Sequence, residues 1–294
     1  MRKEDERMKY KKQYISKSGY TPISSPGQED CSLKLLHFGM IELEKKESVV
    51  FDTEDKEWGL IILSGHADFT FDNICWKNVG GRRSVFEGNA TSVYLPRNKR
   101  VTVTGREHVK IACCNTPVGE DTQPELIGPE RVKRVTLGVK PWERETTFII
   151  DDKTNARRLT IGEVYCTPGN WAGFPPHKHD ADQMPNEGIM EEIYYFLFQP
   201  DQGFAIQKLY TKDLEIDETY TVKQDELVEF PKGYHTTVGA PGYQTYFLWM
   251  MAGEQQGFFR SNDPDHDWVS AVENMVKNFN YRSHEKVKRK EIYK

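Results

Sequence analysis

The stretch Phe174-Pro175-Pro176-His177-Lys178-His179-Asp180 decides how this chain is read. Side chains alternate between the faces of an extended strand, so His177 and His179 point the same way and both imidazoles can address one ion. Neutral imidazole is the commonest metal-binding side chain. Alone the pair is a weak signal, because two surface histidines beside a turn give the same letters. Two stretches further on strengthen it. Glu191-Glu192 leads into the apolar run Ile193-Tyr194-Tyr195-Phe196-Leu197-Phe198, and a carboxylate entering a buried strand requires a partner. Phe230-Pro231-Lys232-Gly233-Tyr234-His235 then sets a third histidine just after a proline–glycine turn. Turn chemistry explains Pro231 and Gly233 but not His235.

Outward from these motifs, short β-type runs broken by turn residues fill the chain. In the first half, Leu60 to Leu63 ends at Ser64-Gly65, His66 to Phe71 ends at Asp72-Asn73, and Thr91 to Leu95 ends at Pro96. In the second half, runs are expected at Leu159 to Tyr165, Ile193 to Phe198, Phe204 to Tyr210, Leu227 to Phe230 and Tyr243 to Met251. Evenly spaced short strands predict a sandwich or barrel. Residues 117–132 carry Pro117, Gly119, Pro124, Gly128 and Pro129 and read as a linker. A length of 294 residues fits about two domains at roughly 150 residues each. The expected division is a flexible arm over 1–30, one β unit over 31–130 and a second over 131–294. Each unit is expected to be an eight-stranded double-sheet jelly roll. Only Pro264 to Phe279 reads as helix, with Asp263 as its N-cap and Trp268, Val269, Val272, Met275 and Val276 at helical spacing.

Composition narrows the function classes. A 37% hydrophobic and 12% aromatic chain has enough apolar residues for a packed core. A net charge of −5 gives no field for nucleic acid, and no run approaches the roughly 18 apolar residues of a membrane helix. Clusters at Lys9, Lys11 and Lys12 and at Lys286, Lys288, Arg289 and Lys290 read as solvated ends. Five cysteines without a CxxC spacing point to a reducing, cytoplasmic setting with buried structural thiols. Cys113 and Cys114 are expected on opposite faces of one strand. No GxGxxG loop opens a helix, so no dinucleotide site is indicated.

The pattern HxH, then Glu, then a PxG turn and a last His resembles the metal signature of the cupin superfamily. Two departures stand out. The interval from His179 to Glu192 is 13 positions, longer than usual, and the final turn reads PxGxH. Both are shared with one subfamily. The stretch from Gly173 to Trp268 is similar to the 5-deoxy-glucuronate isomerase family of bacterial inositol catabolism. The likeness rests on PPHKHD at 175–180, EEIYYF at 191–196, QGFAIQKLYT at 202–211, VEFPKGYHTTVGAPGY at 228–243 and NDPDHDW at 262–268. It covers about a third of the chain strongly and fades before residue 130.

The resemblance implies an all-β bicupin of two jelly-roll barrels with short helices at the C-terminus. It implies one divalent metal ion on His177, His179, Glu192 and His235, zinc by preference, with manganese or iron accepted by the same donors. Glu192 is chosen over Glu191 because it alternates with Tyr194 and Phe196, set toward the site. The implied reaction converts 5-deoxy-D-glucuronate to 2-deoxy-5-keto-D-gluconate, with a small sugar acid as partner and a homo-oligomer as the assembly. Candidate proton-handling residues are Lys208, Tyr194 and Glu191, with Asp182 added if the inserted loop over 181–190 covers the mouth. Lys208 is equally suited to pairing with the substrate carboxylate. The first half, whose His37, His66 and His108 stand alone, reads as a degenerate cupin. Competing readings are a uronate ketol-isomerase of pectin breakdown, a metal-dependent cupin dioxygenase, and a non-catalytic sugar-acid-binding cupin.

Overall fold

Alternating apolar and polar residues in the short runs build four antiparallel sheets among the described residues. The structure is a computed structural model and describes residues 9–279. A six-stranded sheet runs in the order Glu125–Ile127, Ser92–Leu95, Lys56–Ser64, Val109–Pro117, His37–Leu43, Gly19–Ser24. It packs on a four-stranded sheet ordered Ser48–Asp52, Arg100–Gly105, His66–Phe71, Ile74–Gly80. The second unit repeats this plan. Its seven-stranded sheet is ordered Lys11–Gln13, Glu226–Phe230, Met190–Gln199, Gln244–Gly253, Leu159–Cys166, Arg144–Ile150, Lys133–Leu137. It packs on a five-stranded sheet ordered Asp217–Lys223, Phe204–Tyr210, Tyr234–Gly239, Trp171–Lys178, Ser261–Asn262.

The period of two explains three apolar layers. In the strand Met190–Gln199, Tyr194, Phe196 and Phe198 point into their own unit. Ile193, Tyr195 and Leu197 point the other way, onto Phe38, Met40, Ile61 and Cys114 of the six-stranded sheet. Both large sheets are thus apolar on both faces and are buried between their small sheet and each other. Cys113 and Cys114 divide as their adjacency requires, Cys113 into the first unit's core and Cys114 into the layer between units. All five cysteines are free.

Three expectations change. Residues 9–30 are not a free arm. Lys11–Gln13 pairs with Glu226–Phe230 as an edge of the second unit's sheet, and Gly19–Ser24 pairs with His37–Leu43 in the first. Lys11 meets Glu226 at 2.9 Å and Lys12 meets Glu229 at 3.1 Å, so these lysines are not solvated ends. The C-terminal basic cluster lies outside the described residues. The proline-rich stretch 117–132 is not all linker, since Glu125–Ile127 pairs with Ser92–Leu95. The helix covers 268–279, with 264–267 as a turn. Asp267, not Asp263, precedes it and accepts from Ser270 Oγ at 3.0 Å. Val269 is buried, but Trp268 and Met275 face outward. No helix among the described residues is long and apolar enough to cross a membrane.

Candidate metal centre and its cavity

The strand Trp171–Lys178 carries a register shift between Ala172 and His177, and past it His177 lies opposite His235 of Tyr234–Gly239. Gly173 makes the bend at a φ of 61°, and a Cβ there would stand 3.2 Å from His177 Cε1. On the other side of His177 runs the short strand Ser261–Asn262, tied in as well by Asp263 N–H donating to Pro176 O at 2.8 Å. Tyr210 Oη donates to Asp263 at 2.6 Å. The NDPDHDW segment therefore braces the histidine strand.

The insertion between His179 and Glu192 is pinned by Glu187, which is buried. Its carboxylate accepts from Lys178 Nζ at 2.7 Å and from the backbone N–H groups of Asp180 and Ala181 at 2.9 and 3.0 Å. Ser261 Oγ is its fourth donor. Asp180 in turn accepts from Gly233 N–H at 2.8 Å, which joins the first histidine turn to the turn before His235. Asp182 lines a separate hollow with Met184, Ile189 and Phe259.

His177, Glu192 and His235 offer ligand atoms that all lie within 4.8 Å of one another, and all three side chains are buried. His179 reaches the same carboxylate, its Nε2 lying 2.9 Å from Glu192 Oε2. The remaining contacts of the rings identify what this cluster lacks. His179 Nδ1–H donates to Met190 O at 2.7 Å, and His235 Nδ1–H donates to Gly233 O at 3.3 Å. In a neutral imidazole each ring then turns a bare Nε2 lone pair toward Glu192 Oε2, at 2.9 and 3.0 Å. Lone pairs facing a carboxylate oxygen repel unless a cation lies among them. His177 Nδ1 and His235 Nε2 are buried with no hydrogen-bond partner. Backbone carbonyls that fix the outer nitrogen are what orient metal-bound imidazoles. The donor set fits a divalent cation.

A proton can stand in for that cation, and the electrostatics describe that proton-bridged state. Burial would raise the Glu192 carboxyl, but hydrogen bonds and charge from His179 and His235 outweigh it and hold it down at about 2. Burial alone would lower His179, yet the Glu192 carboxylate holds it above its ordinary value. His177 is pushed well below its ordinary value by burial, with Arg260 and His235 adding repulsion. His235 is lowered by burial in spite of Glu192.

His177 and Glu192 open on a cavity walled by Phe148, Phe247, Trp249 and Phe258 and carrying Tyr194, Arg144 and Arg260. Of the three proton-handling candidates, this cavity contains only Tyr194. Glu191 points to the other face of its strand, where its carboxylate accepts the backbone N–H groups of Lys34, Leu35 and Leu36 at 2.6, 2.8 and 3.0 Å. Lys208 alternates with the inward-facing Gln207 and Leu209, so it faces outward and pairs with Asp217. Both corrections follow from the period of two. Arg144 and Arg260 were not anticipated. Arg144 shares an inward face with Thr146 and Phe148, and a charged residue on an apolar alternating face was the available signal.

Comparison with known proteins accords with this geometry. The KduI/IolB family model matches residues 9–269. A 5-deoxy-glucuronate isomerase of Geobacillus kaustophilus is 38% identical over 82% of this chain and 88% of its own length. That of Halalkalibacterium halodurans is 35% identical over 87% of this chain and 95% of its own. The crystal structure of an IolB-like protein from Salmonella typhimurium superposes with a TM-score of 0.84 at 31% identity, covering 89% of this chain and 99% of that one. Lactobacillus farciminis oxalate decarboxylase, at 10% identity and a TM-score of 0.61 over 86% of this chain and 88% of its own, shares the fold alone. The fold is the all-β bicupin, and the chain belongs to the KduI/IolB family.

Proposed function

We propose that this chain is a metal-dependent aldose–ketose isomerase that interconverts 5-deoxy-D-glucuronate and 2-deoxy-5-keto-D-gluconate in myo-inositol degradation. The observation that carries the reading is the buried convergence of His177, His179, Glu192 and His235, with unshared lone pairs, on an aromatic-walled cavity. Relatives named 5-deoxy-glucuronate isomerase, alignable over more than four-fifths of the chain, support the same reaction. Residues 31–130 and 131–294 are read as two cupin units, with the donor set in the second. Five free cysteines suit a cytoplasmic setting.

A divalent ion on these four side chains, zinc by donor type with manganese or iron also suited, would supply Lewis acidity to the carbonyl and adjacent hydroxyl of an open-chain sugar. The isomerisation takes a proton from C2 and returns one to C1. In this route a water in the cavity would accept the C2 proton, and Tyr194, which lines the cavity, serves as the acid. Burial and the Glu192 charge keep its phenol protonated, so it donates to a substrate oxygen as negative charge develops. The outward placement of Lys208 and Glu191 favours a second route, a hydride shift from C2 to C1 in which no proton leaves carbon and only the proton on O2 passes to O1. Turnover in deuterium oxide separates the two, since proton relay labels C1 and a hydride shift leaves it unlabelled.

The function is tested by incubating metal-loaded protein with 5-deoxy-D-glucuronate without oxygen and following the product by NMR. Conversion is expected. Unchanged sugar acid, with oxygen consumed on some other substrate, would overturn the isomerase assignment.

A further inference from the structure

Resting on that reading and deepening it, we propose that Arg144 and Arg260 form the subsite that receives the carboxylate of the sugar acid. Both guanidinium groups line the cavity that holds His177 and Glu192. Arg144 opens the strand Arg144–Ile150 and is buried at 8% exposure. Arg260 immediately precedes Ser261–Asn262, and the pairing of that strand with His177–Lys178 delivers it to the donor set.

Neither arginine forms an ion pair with an acid among the described residues. Among the described residues no carboxylate oxygen lies within ion-pair distance of either. Arg144 Nη1 donates to Trp142 O at 3.3 Å, and Arg260 packs its guanidinium 5.1 Å over the Phe258 ring. The buried Arg82 shows what a structural arginine looks like in this protein, with Glu163 at 2.6 Å and Ile62 O at 3.0 Å. The acids nearest the pair are already engaged. Glu192 answers the histidines, and Glu273 accepts from Trp142 Nε1 at 3.1 Å and from Lys277 at 2.5 Å. Burial lowers the pKa of both arginines, and Arg260 repels Arg144 further.

Two uncompensated cations in an aromatic-walled cavity are costly unless an anion arrives. The planar guanidinium fork matches a carboxylate in geometry as well as charge. A sugar acid carries a carboxylate at one end and the reacting carbon pair at the other, so one molecule can meet both the arginines and the donor set. Lys208 is excluded from this role by its outward face and its bond to Asp217.

The test uses the full metal-loaded chain and D-gluconate, a non-reacting sugar acid, with uncharged D-glucitol as control, in titration calorimetry. Wild type should bind gluconate and not glucitol. Arg144→Gln and Arg260→Gln should each weaken gluconate binding by roughly 10- to 100-fold with metal content retained, the loss expected for a charged hydrogen bond. Arg260→Lys should restore part of it. The KM for 5-deoxy-glucuronate should rise by a similar factor in each Gln variant. Gluconate affinity within about twofold of wild type in folded Arg260→Gln would overturn the proposal, and that variant decides even if Arg144→Gln fails to fold. If wild type binds gluconate through these arginines but does not turn over 5-deoxy-glucuronate, the isomerase reading falls and the subsite stands. If wild type turns it over and neither variant changes KM, the subsite falls and the isomerase stands.

Discussion

Rung by rung, the second unit can be laid on the first. His235 pairs with His177 on one side and Leu209 on the other, while Val101 pairs with Phe51 on one side and Phe71 on the other. Met251 lies between Thr160 and Glu192, and Asn115 lies between His37 and Trp58. The places of His177, Glu192 and His235 are thus taken in the first unit by Phe51, Trp58 and Val101. Phe51 and Trp58 stack at 4.6 Å between ring centroids, and Tyr20 packs on Trp58 at 5.7 Å. One strand order holds a polar donor set in one copy and an aromatic plug in the other. The ladders and alternating apolar faces therefore define the frame, and the interior end of it is free to carry chemistry or packing.

The two copies also grip each other in the same way. Glu191 accepts three backbone N–H groups from 34–36, just before the strand His37–Leu43. Glu57 accepts three from 157–159, at the start of Leu159–Cys166, at 2.8 Å each. Each glutamate is the second residue of the corresponding strand in its own sheet. The pair makes a reciprocal clamp across the layer between the units.

The comparison can be broken first at the donor set. His235→Ala should lower kcat/KM by on the order of 10³-fold, the scale of losing preorganised charge stabilisation, and leave the far-ultraviolet circular dichroism unchanged. Loss of the β signal would mean that the donors hold the frame together. Next comes the plug. Trp58→Ala should cost about 4 kcal/mol in denaturant unfolding, as a large-to-small core change does, with metal content intact. A stable variant would show that the first unit tolerates an open interior. The clamps come third. Glu57→Ala and Glu191→Ala should each cost about 3 kcal/mol, since three backbone amides lose a charged acceptor, and the two losses should be alike. A fall in kcat for Glu191→Gln at unchanged stability would return that residue to the chemistry. The smallest effect belongs to Lys208→Ala, whose activity should stay within about twofold of wild type because its partner is a solvent-facing Asp217.

How much of this was legible in the sequence follows from range. The donor set lies in two short motifs and one strand entry, and the choice of Glu192 over Glu191 needed only the period of two. The same period, applied to Phe204–Tyr210, turns Lys208 outward once Gln207 and Leu209 are seen to be buried. Other features depend on partners far along the chain. Lys11–Gln13 reads as a polar arm until its pairing with Glu226–Phe230, some two hundred residues on, is known. Glu57 looks like any charged strand entry until the amides of 157–159 arrive. Arg144 and Arg260 sit 116 positions apart and meet only because separate strands line one cavity. The short Pro264 to Asp267 turn was lost to helical spacing, which does not distinguish a first turn from a lead-in.

The central claim, that one unit holds a metal ion and its copy does not, is tested most directly by elemental analysis of purified protein. Wild type and Trp58→Ala should each carry about one divalent ion per chain, and His235→Ala should carry almost none, because each buried donor is needed to complete the set. Two ions per chain in wild type, or one ion that survives the loss of His235, would contradict the account.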